Sequence, residues 1–187
     1  MGRRCLVSLN AMRKVTAMAL DAPLEEVWSF FSHPTNLEGL TPPDQRLQVS
    51  VPENRRVRSG DRVDIRVSPL PGIRLRWKSL ITEVEPPDTD AQGMGWFVDV
   101  QEGGPFSKWE HRHAFRALPG GGTAVLDVVE FEVPLGGLGR MVAGRWVRRN
   151  IDALFTFRTG ALTARFGRLD GGSELLKGWP SFWGLEP

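Results

Sequence analysis

Six segments between Arg46 and Val133 alternate apolar and polar residues with a period of two, and after Pro134 that alternation stops. The segments run Arg46–Val51, Asp61–Ser68, Ile73–Val84, Met94–Gln101, Lys108–Leu118 and Thr123–Val133. Their breaks are turn-forming clusters such as Ser59-Gly-Asp61, Pro69-Leu-Pro-Gly72 and Pro119-Gly-Gly-Gly122. A period of two marks strands with one buried and one wet face, which is the pattern of an antiparallel sheet. From Leu138 to Phe166 there is no proline, and Val147, Ile151, Leu154, Phe155 and Leu162 fall on one face of a helix. Such a helix is far longer than the ~11–12 residues that are average. One long helix set against one long meander, each with an apolar face to bury against the other, makes a single α+β domain the expected class. A curved antiparallel sheet around the long helix, enclosing an apolar, ligand-sized cavity, is the arrangement expected here.

The remaining elements fit that plan. Val15–Leu20 reads as a first strand, which brings the strands to about seven. Asp21–Phe31 reads as a short helix with Asp21 or Ala22 at its cap, Pro23 in the first turn and Glu25 and Glu26 against the helix dipole. Leu24, Val27, Trp28 and Phe31 form its apolar stripe. Thr35–Leu40 is a second short helical turn, ended by Pro42-Pro43. A chain of 187 residues is one domain. The expected organisation is an N-terminal extension over 1–12, a ligand-binding domain over 13–167 and an apolar tail over 168–187 that carries Leu175, Leu176, Trp179, Phe182 and Trp183.

Several function classes are excluded. The net charge is +2, and arginines are interleaved with acids rather than gathered with aromatics, so no nucleic acid is expected as a partner. Cys5 is the single cysteine, which removes intrachain disulfides and paired-cysteine metal sites and makes a reducing, cytoplasmic setting the default. Asn10, Arg13 and Lys14 interrupt the apolar stretch a signal peptide would need. No run of ~18 apolar residues exists, so stable membrane insertion is not expected. There is no GxGxxG, P-loop or GxSxG motif, and no tyrosine to serve as an acid or oxyanion donor. No cofactor is expected.

The chemistry-bearing residues are His111, His113 and Asp127. Both histidines share the inward face with Trp109 and Phe115. If the hairpin closes with Leu118 opposite Gly122, His113 faces Asp127, His111 faces Val129, Phe115 faces Val125 and Trp109 faces Phe131. A slip of one residue would turn a strand inside out. A His–Asp pair in an apolar cup is suited to general acid–base work or to anchoring a ligand. The alternative is a buried pair that satisfies itself and sets register. Two histidines at i and i+2, with Asp127 as third ligand, could hold a metal, but no ligand-spacing signature accompanies them and no metal is expected. Arg158 lies four residues after Leu154 on the buried helix face. It either binds a ligand carboxylate or phenolate, or reaches the edge and pairs with a structural acid. The aromatic candidates for ligand contact are Trp77, Trp96, Trp109, Phe115, Phe131 and Phe155, with Trp28 among the core alternatives. Glu83, in phase with Trp77, reaches either the cavity mouth or the rim, and His33 caps a helix end.

The stretch Ala22-Pro-Leu-Glu-Glu-Val-Trp-Ser-Phe-Phe-Ser-His-Pro34, followed by Leu40-Thr-Pro-Pro43, resembles the N-terminal signature of START-like (SRPBCC, Bet v 1-like) proteins. Ile73-Arg-Leu-Arg-Trp-Lys78, Ile81-Thr-Glu-Val-Glu-Pro-Pro87 and Pro105–Phe115 are similar to the cyclase/dehydrase-like or cell-division-inhibitor-like branch. The resemblance spans about residues 13–166. It implies the helix-grip fold, in which a curved antiparallel sheet wraps a long C-terminal helix and two short helices follow strand 1. It also implies a hydrophobic small-molecule ligand, lipid-like or polyketide-like, held by a carrier or sensor. Two alternatives stand beside that reading. One is a polyketide cyclase/dehydratase-type enzyme using the His–Asp pair. The other is an interaction module acting through the Trp-rich tail. The partner readings left open are a homodimer and a metabolic enzyme, the latter because related domains occur fused to nucleotide-sugar-epimerase-like domains.

Overall fold

The structure is a computed structural model, and it describes residues 11–87 and 93–169. The extension up to residue 10 and the tail from residue 170, including Trp179 and Trp183, lie outside the described residues. Seven strands form one antiparallel sheet: β1 (Met12–Leu20), β2 (Gln48–Ser50), β3 (Arg62–Leu70), β4 (Ile73–Glu85), β5 (Met94–Gly103), β6 (Lys108–Ala117) and β7 (Thr123–Glu132). Their spatial order is β1-β7-β6-β5-β4-β3-β2. Helix α1 (Leu24–Phe31) and two 3-10 turns, Pro34–Leu40 and Pro43–Gln45, fill the crossover from β1 to β2. Helix α2 (Gly136–Phe166) closes the fold. This is the helix-grip architecture that the resemblance implies.

Some boundaries differ from the periodicity. β1 starts at Met12, which pairs with Phe131 and is buried, so the strand begins before its apolar alternation becomes legible. Pro23 stands at the N-cap of α1 rather than inside its first turn. β2 keeps only three residues of the Arg46–Val51 segment. The ladder between β4 and β5 is irregular at Lys78/Ser79 and at Ile81/Glu83. Such irregularities bend a strand and increase its twist, which a sheet that encloses a helix requires.

The second irregularity also changes which residues face inward. Trp77, Ser79 and Ile81 line the interior, but past the shift it is Val84, not Glu83, that packs against the core. Glu83 is exposed and absent from the cavity wall.

The inner face carries two apolar clusters. One joins α1, α2 and the sheet through Leu20, Val27, Trp28, Phe97, Phe115, Leu162 and Phe166. Trp28 meets Phe115 edge-on at 5.5 Å and Phe97 at 5.9 Å, the offset geometry aromatic quadrupoles favour. The other joins Met12, Val129, Phe131, Ile151 and Phe155. Burying each such side chain contributes about 1.5–3 kcal/mol. On α2 the buried stripe is Ile151, Phe155, Arg158, Leu162 and Phe166, so a cation interrupts an otherwise apolar helix face.

A close approach next to β5 makes one substitution diagnostic. A Cβ at Gly95 would lie 2.6 Å from the Pro87 nitrogen and 2.7 Å from its Cδ, both on rigid groups. Gly95→Ala therefore forces β5 away from the end of β4. The expected result is a loss of about 1–3 kcal/mol in urea unfolding; unchanged stability would show that this approach does not constrain the sheet.

Candidate functional site

Between the two clusters, under the N-terminal half of α2, lies a cavity of about 700 Å³. Its wall is mostly apolar: Val63, Ile65, Leu75 and Trp77 from the sheet, Phe106 and Trp109 beyond them, and Val147, Ile151 and Leu154 from α2. Leu135, Leu138 and Val142 also line it and are 79%, 60% and 76% exposed, so they form its mouth. Trp77 meets Trp109 edge-on at 4.8 Å and Phe106 at 5.5 Å, forming one aromatic wall.

The β6–β7 register is the one that keeps both inner faces in phase: His113 opposite Asp127, His111 opposite Val129, Phe115 opposite Val125 and Trp109 opposite Phe131. It brings the three expected polar residues together and adds a fourth. Asp127 Oδ1 accepts a hydrogen bond from His111 Nε2 at 3.1 Å. The same oxygen lies 2.7 Å from His113 Nδ1, off the line of a straight hydrogen bond. On the other side of the rings, Asp99 Oδ1 lies 3.8 Å from His111 Nδ1 and 3.6 Å from His113 Nε2. Ser79 donates to Asp99 Oδ2 at 2.9 Å. The imidazoles pack with centroids 3.7 Å apart, and Phe97 stacks on His113 at 4.3 Å. His111, His113, Asp99 and Ser79 reach the cavity wall, whereas Asp127 stands behind the histidines.

Asp99 was missed because β5 can be read with either face inward. Trp96, Val98 and Val100 make the more apolar set, which points to them as the interior. Pairing decides otherwise: Phe97 sits opposite His113 and Asp99 opposite His111, and directly opposed residues share a face. Trp96 therefore belongs to the other side of the sheet, packed against Ala114, Leu126 and Val128, and is not a ligand contact. The signal that could have found Asp99 is the inward phase of the histidines carried across the β5–β6 ladder.

Three other aromatic candidates also leave the wall. Phe115 and Phe131 are fully buried in the clusters at either end of the cavity, and Phe155 packs between His111 and Arg158. Bulky side chains that face inward fill the ends of the cup first, which leaves the wall to Trp77 and Trp109. His33 Nδ1 donates to the Ser29 carbonyl at 2.6 Å, at the end of α1.

Arg158 is 6% exposed and lines the cavity. Among the described residues its Nε has no hydrogen-bond partner, and it neither reaches the edge nor pairs directly with an acid. Burial pushes its pKa below the ordinary arginine value, while the charges of Asp127 and Asp99 oppose that. The same competition separates the histidines. Burial and the neighbouring charge of His113 push the His111 pKa down. Burial would lower His113 as well, but the Asp127 charge, followed by contacts with Asp127 and Asp99, raises it above the ordinary value. Burial would raise both acids, yet the imidazoles hold Asp99 and Asp127 below the carboxylate range. The wall thus presents His111 shifted toward its neutral form, His113 shifted toward its protonated form between two carboxylates, and an Arg158 whose Nε has no hydrogen-bond partner among the described residues.

A curved sheet gripping a helix around an apolar cavity defines the class by its architecture: the Bet v 1-like helix-grip fold. More narrowly, the chain belongs to the polyketide cyclase/dehydrase and lipid transport family, whose model matches residues 20–155. No curated protein matches the sequence. Among solved structures it is similar to the Zhui aromatase/cyclase of Streptomyces sp. R1128, with a TM-score of 0.58 at 17% identity over 83% of this chain and 93% of that one. The major latex-like protein 151 of Panax ginseng gives 0.57 at 13% identity over 84% and 98%. A START superfamily protein of Mycobacterium smegmatis gives 0.54 at 14% identity over 82% and 96%. At these identities the likeness is one of fold. No helix among the described residues is long and apolar enough to cross a membrane.

If Asp127 holds the His113 proton, the pH response follows. In the native protein His113 titrates above 6.5, so its protonation stabilises the fold below that pH and the contribution fades as pH rises through the raised value. In Asp127→Asn, burial acts with its main opponent gone, and the His113 pKa falls below that of the wild type. Histidine NMR titration reads this directly; an unchanged His113 pKa would remove Asp127 from that role.

Proposed function

We propose that the protein binds a hydrophobic small molecule, lipid-like or polyketide-like, in this cavity as a carrier or sensor. The ligand's oxygen-bearing end lies against Arg158 and the histidines. The observation that carries this reading is the buried Arg158, whose Nε has no hydrogen-bond partner among the described residues, at the wall of a mostly apolar cavity of ligand size. A buried cation without a partner is costly. An anionic or strongly accepting oxygen on the ligand would supply the missing bonds, and burial in the apolar wall would orient the remainder.

A second reading is conversion of the ligand by proton transfer, as in a cyclase or dehydratase. It is favoured by one observation, the opposite pKa shifts of adjacent histidines at the wall. Environments that push two titratable groups apart assign one as base and the other as acid, here His111 and His113. The name of the Streptomyces neighbour is consistent with that chemistry.

Native mass spectrometry of the purified protein, followed by denaturing extraction, tests the binding reading. A stoichiometric apolar molecule is the expected result. Neither retention nor uptake of any offered amphiphile would sink it. The role of Arg158 has its own test. Arg158→Met should weaken binding of a long-chain fatty acid about 10-fold or more, the range of a charge-assisted hydrogen bond, and leave its methyl ester nearly unaffected. Equal losses for acid and ester would mean that Arg158 only shapes the wall. For conversion, His113→Ala should abolish turnover with the ligand still bound, whereas a carrier loses affinity alone.

A further inference from the structure

The gap between Asp99 and the two imidazoles is the most informative place in the molecule outside the binding reading, and it holds without that reading. We propose that Asp99, His111 and His113 form a binding site for a divalent transition-metal ion on the cavity wall. One ligand atom from each of the three lies within 4.8 Å of the others. The atoms that face one another are Asp99 Oδ1, His111 Nδ1 and His113 Nε2, with oxygen-to-nitrogen separations of 3.8 and 3.6 Å. Bonds of about 2.0–2.2 Å to a tetrahedral ion place its ligands roughly 3.3–3.6 Å apart, so the two oxygen-to-nitrogen separations already approach that spacing, and the imidazole nitrogens, within 4.8 Å of each other, close the remainder on binding.

What surrounds the three residues is arranged as a metal's outer shell is. Metal-bound imidazoles hand their second nitrogen to a carboxylate or carbonyl, which sets tautomer and ring orientation. Here both far nitrogens, His111 Nε2 and His113 Nδ1, turn to one oxygen of Asp127, at 3.1 and 2.7 Å. The ligating carboxylate is held in turn by Ser79 at its other oxygen. Two imidazoles and one carboxylate suit zinc, iron or cobalt rather than magnesium or calcium. All three residues line the cavity, so the ion's remaining positions face the bound molecule. An apolar ligand with neighbouring oxygens, such as a β-dicarbonyl enolate, can occupy them.

The sequence points away from a metal because no ligand-spacing signature accompanies the histidines, and the third ligand it offers is Asp127. Asp127 lies behind the rings, and the acid on the cavity side is Asp99, from another strand. The competing arrangement is a metal-free His–Asp cluster whose charge Arg158 balances. The two exclude each other, because an ion takes the nitrogens that proton transfer would use.

The experiment uses the full chain, stripped with chelator and titrated with Co²⁺. One equivalent should bind with visible absorption in the range of nitrogen and oxygen ligation, and Zn²⁺ should displace it. Zinc at 100 times its Kd should raise the wild-type Tm by about 5–10 °C. Asp127→Asn should weaken binding about 10–100-fold, and Asp99→Asn at least as much. X-ray absorption on the cobalt-loaded wild type needs no variant to fold; two imidazoles with oxygen ligands are expected. Absence of stoichiometric binding overturns the proposal. So does a sulfur or single-imidazole shell, which would point to Cys5 or His33, or full affinity in a folded Asp99→Asn.

Discussion

Asp127 Oδ1 receives both imidazoles from inside the sheet, and the arrangement of the wall depends on that shared contact. A carboxylate 4% exposed is tolerable only with its charge answered. His111 and His113 answer it, and doing so fixes the orientation of both rings. Their other nitrogens then point toward Asp99, which Ser79 holds in place. Four strands are tied together this way: β7 through Asp127, β6 through the histidines, β5 through Asp99 and β4 through Ser79. A slip of any neighbouring pair by one residue would leave a buried charge without its counterpart.

This polar layer crosses the waist of the molecule. Toward α1 lies the cluster around Trp28, Phe97 and Phe115, and toward the start of β1 lies the cluster around Phe131 and Phe155. The clusters supply the apolar burial that offsets the cost of enclosing the charges. They also keep the ends of the cup filled, so that the open volume falls beside the polar layer. In the proposed function, a cavity lined by Trp77, Trp109 and the apolar side of α2 retains a molecule by burial, while Arg158 and two imidazoles on one wall decide which way round it sits. The proposed binding, conversion and metal coordination therefore draw on the same few atoms, and each proposal links the protonation of His113 to what the cavity and the gap hold.

Much of this was legible in the chain. The inward phase of β6 could be read from Trp109, His111, His113 and Phe115 alternating against Glu110, Arg112 and Arg116, because its other face carries formal charge, and closing the hairpin at Leu118 and Gly122 carries that phase to β7. The helix after Pro134 was legible because it has no proline and a regular apolar stripe. Arg158 could be placed on the buried face by counting from Ile151 and Leu154. β5 was not legible in the same way, since both of its faces hold large apolar residues and both are partly covered. For Glu83 the structure decides for the rim over the cavity mouth, a choice the sequence leaves open because a register shift between two strands leaves no mark on either strand's own alternation.

Local pattern determined the elements, their order and the residues that share a face, because periods of 2 and 3.6 are properties of the backbone and need no partner. Only the tertiary structure decided which face of β5 turned inward, which aromatics filled the ends of the cup rather than its wall, and that a second carboxylate stood across the imidazoles from Asp127. Those outcomes depend on hydrogen-bond register between strands and on the space left once the bulkiest side chains are buried. Both are set by residues far apart in the chain.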